Sequence, residues 1–232
     1  MMPRYLVIQH EPAAPGGWLV ERWSELGSAV ETIRGDLGEP IPARLTHDAL
    51  VVLGGAMNAN EDDRYAWLAP TKSLLRAAVA DGIPTLGVCL GHQLLAVALG
   101  GEVIRNPHGR TSGLIPLSLN AAGEADPLLS GLSGREVVQY NGDIVSRLPE
   151  GAESLATAPD SSVQAARFGP RAWGVQFHPE TTPEIFKEWM ANFSPEPHEA
   201  ADSPARWLAE MESRRDVVRS TGYAVADAFA RA

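Results

Sequence analysis

The 232 residues contain one cysteine, Cys89, so no intrachain disulfide framework can form. Long apolar runs are also missing, and none approaches the length needed to span a bilayer. Met1-Met2-Pro3-Arg4 leads straight into Tyr5-Leu6-Val7-Ile8, which is far too short for a secretory signal core. A cytoplasmic location is the expectation. Positive charge is scarce: 19 Lys and Arg face 29 Asp and Glu, a formal net charge of −10. That balance argues against nucleic acid or an anionic membrane as the main partner. The six histidines form no H-x-x-x-H pair or other ligand cluster, so neither a zinc site nor another metal or cofactor is expected. There is no Gly-rich, Lys-containing phosphate loop, no internal repeat, no low-complexity tract and no evident linker.

What is present fits one well-buried α/β unit or two small ones. Hydrophobic residues make up 44% of the chain, ordinary for a globular protein. Strands are expected at Tyr5–Ile8, Ala29–Arg34, Ala49–Leu53 and from Thr85, and helices at Trp18–Gly27 and Tyr65–Ala80. Strand and helix in alternation imply an open, mostly parallel sheet with helices on both faces. Six shorter strand candidates follow: 102–104, 114–119, 136–140, 154–158, 163–168 and 172–177. They read as an antiparallel or mixed extension of the sheet. Thr182-Pro183-Glu184 opens a helix with Pro and an acid in its first turn. Residues 192–202 read as a loop. Ser203-Pro204 opens a last helix over 205–219 that continues in pieces to Ala232.

The chain is organised around Thr85-Leu86-Gly87-Val88-Cys89-Leu90-Gly91-His92-Gln93. An apolar, partly β-branched run passes through Gly87, Cys89 and Gly91 into a run of helix formers closed by Gly100-Gly101. A strand, a sharp turn and a helix with a nucleophile at the turn form a nucleophile elbow. The flanking glycines matter because a side chain there would crowd so tight a turn. The helix N-terminus brings a field that favours thiolate over thiol. The competing reading of a lone cysteine is a small buried hydrophobe, and the Gly-x-Cys-x-Gly frame weighs against it.

A cysteine nucleophile needs a base, and the base is usually oriented by a third group. His178 and Glu180 stand two residues apart at a strand end, so their side chains leave the same face. A Cys89–His178–Glu180 relay follows, although His178-Pro179-Glu180 alone could equally be a solvated turn. The Gly54-Gly55 turn can supply one backbone N–H to an oxyanion, and Leu90 supplies the second.

Three stretches carry a resemblance: Gly87-Val88-Cys89-Leu90-Gly91-His92-Gln93, Leu53-Gly54-Gly55 and Gln176-Phe177-His178-Pro179-Glu180. In this order they resemble the motifs of class I, triad-type glutamine amidotransferases. The chain is similar from about Tyr5 to Trp189 to the glutaminase domain of GMP synthase and its free-standing relatives. The resemblance implies a flavodoxin-like α/β fold, with residues 1–194 as the amidotransferase domain and 195–232 as a helical extension packed on it. It implies attack by Cys89 on the side-chain amide of glutamine and a γ-glutamyl thioester. His178 would protonate the departing ammonia and then activate water, and Glu180 would hold His178. Gly55 and Leu90 would bind the oxyanion. Gly54, Gln93 and the loop Tyr140, Asn141, Gly142 and Asp143 would hold the substrate. Asn141 stands where many relatives carry His, which bears on specificity more than on the reaction.

Three functions stay open. The first is a glutamine amidotransferase subunit whose ammonia passes to a separate synthetase. The second is a stand-alone γ-glutamyl amide hydrolase or peptidase. The third is a non-catalytic binding protein on the same fold, against which the intact Cys89, His178 and Glu180 argue.

Overall fold

The runs Tyr5–Ile8 and Ala49–Val52 are apolar throughout and buried on both faces, and that requires a layer of helices on each side. A computed structural model describes residues 2–197, 199–200 and 202–232. A seven-stranded sheet runs through it in the order β2-β1-β3-β4-β11-β10-β9. Its strands are β1 (Arg4–Gln9), β2 (Ala29–Arg34), β3 (Ala49–Val52), β4 (Thr85–Val88), β9 (Glu153–Thr157), β10 (Val163–Gly169) and β11 (Ala172–Val175). The first four and β11 run parallel to one another, whereas β10 runs antiparallel to both β11 and β9.

Tyr5 and Val7 point into one apolar cluster with Val51, Leu86, Val88 and Trp173. Leu6 and Ile8 point into another with Leu50, Val52 and Leu90. The first cluster is closed by α1 (Gly17–Glu25) and α7 (Arg215–Phe229), which supply Leu19, Trp23, Val225 and Phe229. The second is closed by α2 (Leu68–Ala80) and α3 (Leu90–Ala98), through Leu74, Leu75, Leu94 and Leu95.

The short middle strands depart from expectation. Only β9, β10 and β11 extend the main sheet. β5 (Glu102–Arg105) pairs with β8 (Asp143–Arg147), and β6 (Thr111–Pro116) pairs with β7 (Glu136–Asn141), as two separate ribbons. Three of the four residues of β5 are exposed, so β5 has no second apolar face with which to join a buried sheet. The expected strand at 114–119 runs instead from Thr111 to Pro116. A short helix, α4 (Ala121–Ala125), was not foreseen; the Asn120 side chain caps it by accepting from the Gly123 N–H at 2.9 Å.

α2 starts at Leu68 instead of Tyr65, with Pro70 inside its first turn. α5 (Pro183–Ala191) begins as expected, capped by the Thr182 hydroxyl. The last expected helix is two: α6 (Ser203–Ser213) and α7, broken at Arg214, whose φ of −109° is not helical. The break lets Trp207 and Met211 of α6 pack with Phe186 and Met190 of α5, while the far part of α7 covers the sheet.

Candidate active site

The strands β3, β4 and β11 are neighbours in the sheet, and each carries one motif at its C-terminal end. Ligand sites of open parallel sheets lie at those ends. Cys89 takes φ 50° and ψ −104° between β4 and α3, a conformation that costs on the order of 1–3 kcal/mol for a residue with a side chain. The surroundings enforce it. The Cys89 N–H donates to the Val175 carbonyl at 2.8 Å and the Gly91 N–H to the Leu53 carbonyl at 3.1 Å. A Cβ at Gly91 would stand 1.9 Å from the Val52 carbonyl oxygen, and one at Gly87 2.5 Å from Gly91. Both glycines are therefore required by close backbone approach.

His178 follows β11, and its N–H donates to the Val138 carbonyl of β7 at 2.8 Å. Its Nδ1 lies 2.7 Å from Glu180 Oε1, and both side chains are buried. Its Nε2 is buried, and the ring also interacts with the Cys89 side chain. Burial alone would lower the imidazole pKa, but the charges of Glu180 and Cys89 outweigh it and raise the value to about 10. The Glu180 carbonyl accepts from the Trp18 N–H at 3.0 Å, so the start of α1 anchors this segment.

The N–H groups of Gly55 and Leu90 make no hydrogen bond among the described residues. Leu90 is the first residue of α3, where no intrahelical acceptor exists. Two unsatisfied donors beside a buried thiol can receive a developing oxyanion. A cavity of about 360 Å³ opens beside them, and its wall includes Gly55, Cys89, Gln93, His178 and the loop from Tyr140 to Asp143. Gly54, expected at the substrate, packs against His178: a Cβ there would stand 3.1 Å from His178 Cε1.

The expected substrate residues are partly engaged in holding one another. The Asp143 carbonyl accepts from Gln93 Nε2 at 2.9 Å and Asn141 Nδ2 at 3.1 Å. The Asp143 carboxylate accepts from Asn58 at 2.7 Å and faces Arg105 at 3.8 Å. Asn141 Oδ1 is buried without a partner among the described residues, which leaves it an acceptor for a ligand. Tyr140 lies beneath the Arg110 guanidinium, 4.9 Å from its ring centre, and Arg110 is in turn held by Glu199 through Nε at 3.0 Å.

Three contributors were not among the residues expected at the site. Gln176 donates from Nε2 to Cys89 Sγ at 3.5 Å and its Oε1 accepts from Gln93 at 3.3 Å. Its place in the same stretch, two residues before His178 and just past β11, was the available signal. Trp189 of α5 and Arg105 of β5 line the cavity, and neither carries a sequence signal beyond an apolar helix position and an exposed charge. No cluster of three His, Cys, Asp or Glu side chains able to hold a metal ion occurs among the described residues. No helix there is long and apolar enough to cross a membrane.

Residues 17–195 match the family described as glutamine amidotransferase class-I. A glutamine-hydrolyzing GMP synthase from Leifsonia xyli subsp. xyli is 41% identical over 132 residues, covering 54% of this chain and 25% of that protein. The chain thus spans about a quarter of that relative's length. The pyocyanine-specific anthranilate synthase component 2 of Pseudomonas aeruginosa is 38% identical over 169 residues, 70% of this chain and 78% of its own. The crystal structure of a glutamine amidotransferase from Thermotoga maritima matches all of both chains with a TM-score of 0.88 and 25% identity.

Proposed function

Because this chain belongs to the class-I glutamine amidotransferase family, we propose that it hydrolyses the γ-amide of glutamine through a thioester on Cys89 and releases ammonia to a separate acceptor enzyme. The family's members are cysteine-dependent amidohydrolases. One observation carries the reading: Cys89 and His178 line one cavity, with Glu180 bonded behind His178 and two unpartnered backbone donors nearby.

The chemistry follows from that arrangement. Cys89 Sγ, its proton passed to His178 Nε2, attacks the amide carbon. The carbonyl oxygen becomes an oxyanion and accepts from the Gly55 and Leu90 N–H groups. His178 returns the proton to the amide nitrogen, the C–N bond breaks and ammonia leaves. Water then gives a proton to His178 and attacks the thioester carbon; the C–S bond breaks and glutamate departs. Glu180 keeps the imidazole in the required tautomer and offsets its charge in both halves. Gln93, Asn141 and the Tyr140 to Asp143 loop hold the far end of the substrate, and residues 195–232 act as a helical extension of the same unit.

A second reading is hydrolysis of a larger γ-glutamyl amide. The reach of the cavity supports it, since Ala13, Trp189 and Asn192 extend the wall beyond the residues that face the thiol. Ammonia release from glutamine, compared with amine release from γ-glutamyl peptides, separates the two. Turnover of glutamine with peptides untouched supports the first reading, and the reverse order of kcat/KM supports the second. Loss of both activities in Cys89→Ala is expected on either.

A further inference from the structure

The imidazole of His178 is held at Nδ1 by Glu180 at 2.7 Å, and the ring also interacts with the Cys89 side chain. Rotation about the Cβ–Cγ bond would carry both nitrogens off these partners, so a neighbour that bounds that rotation supports the working pose. Gly54 is one neighbour. Another is Trp189, whose ring meets the imidazole in a T-shaped contact with centroids 4.7 Å apart and planes at 62°.

Trp189 is itself well fixed. Its Nε1–H donates to the Ala13 carbonyl at 2.8 Å. One neighbour, Tyr140, stacks on it at 5.8 Å and 19°, and another, Phe186, meets it edge-on at 5.9 Å. Tyr140 is in turn covered by the Arg110 guanidinium, which donates to its hydroxyl at 3.2 Å. A hydrogen bond, a stack and an edge contact hold the indole in one pose, and that pose bounds the space open to the imidazole.

We propose that Trp189 is a positioning residue for His178, packing its imidazole into the one orientation that joins Nδ1 to Glu180 and presents Nε2 to Cys89. The proposal rests on the reading of His178 as the proton acceptor for Cys89. A tryptophan on an apolar helix face is ordinarily core, but this one is half-buried and lines the cavity. The T-shaped geometry is the favoured one for two aromatic rings. The loss of that wall frees the ring to rotate, and the fraction of molecules with Nε2 facing the thiol falls.

Cys89 is the chain's one thiol, so its alkylation by iodoacetamide reads the Cys89–His178 pair with no substrate present. At pH 7, Trp189→Met is expected to slow alkylation about threefold to tenfold, the range of a lost aromatic contact. It should lower kcat for glutamine by a similar factor with KM changed less. Trp189→Phe keeps a ring and should recover most of both rates. In His178→Ala, adding Trp189→Met should cause no further slowing. In the wild-type protein, the His178 ring protons, identified by their loss in His178→Ala, should show an indole ring-current displacement by NMR, which requires no folded Trp189 variant. Wild-type alkylation in Trp189→Met, equal losses in the Met and Phe variants, or His178 protons at ordinary positions would overturn the proposal. Unslowed alkylation in His178→Ala is a different failure, that of His178 as the base.

Discussion

The carbonyl oxygen of Pro179 lies 2.2 Å from where a Cβ on Gly222 would stand. The last helix, α7, therefore rests directly on the peptide between His178 and Glu180. On the other side, a Cβ on Gly17 would stand 2.0 Å from the Glu180 carbonyl oxygen. The relay segment runs between two helices that approach it closely because each presents a glycine.

Gly222→Ala should consequently act on both fold and site. The new methyl meets backbone, which gives way less easily than the end of a side chain. A destabilisation of about 1–3 kcal/mol is expected, seen as a lower urea midpoint. Ammonia release should fall as well, because the clash displaces Pro179. Unchanged turnover in a destabilised variant would show that α7 moves and the relay does not.

Glu180→Gln keeps the shape beside His178 and removes the charge that raises its pKa. A loss in kcat on the order of tenfold to thousandfold is expected, below that of Cys89→Ala, since orienting groups contribute less than nucleophiles. Turnover at the wild-type rate would pass the third role of the triad to another residue.

The buried histidines pull stability in opposite directions with pH. His178 holds its proton in the fold up to about pH 10. Its contribution is present below its unfolded value near 6.5 and is lost as pH rises from there through the folded value. The stability gap between wild type and His178→Gln should therefore narrow from pH 6.5 to 9.5. His10 and His92 behave the other way: burial lowers them to about 4 and about 3. Both are neutral in the fold, and stability is lost as pH falls below 6.5 while the unfolded chain takes up protons. Between pH 7 and pH 5, His92→Gln should lose about 2 kcal/mol less than wild type, at ~1.4 kcal/mol per unit below 6.5. Parallel urea-midpoint curves would contradict this.

Asn141 is uncharged at every working pH, so its hold on a ligand should not change as a histidine's would. KM for the γ-glutamyl substrate should stay nearly flat between about pH 6 and 8 while kcat follows the Cys89–His178 pair. Asn141→Ala removes the unpartnered Oδ1 from the cavity wall and should raise KM by an amount corresponding to roughly 1–2 kcal/mol, with less effect on kcat. A fall in kcat at constant KM would place this loop in the chemistry instead.

The elbow was legible in the sequence because its cause is local. Gly87 and Gly91 flank Cys89 in a turn that leaves no room for side chains, and the apolar runs on either side specify a strand and a helix by composition. The alternation of strand and helix from Tyr5 onward likewise announced a sheet covered on both faces. The pairing of His178 with Glu180 could be read from a spacing of two. Which strands lie side by side could not be read, because periodicity describes a strand's faces and not its neighbours. The crossovers that set β11 beside β4, and β4 beside β3, decided that Gly55, Cys89 and His178 meet. Long-range packing decided the rest. β5 and β8 left the main sheet because one partner is largely exposed, the last helix broke at Arg214 to serve two surfaces, and Gln176 and Trp189 reached the site only through the strand and helix that carry them.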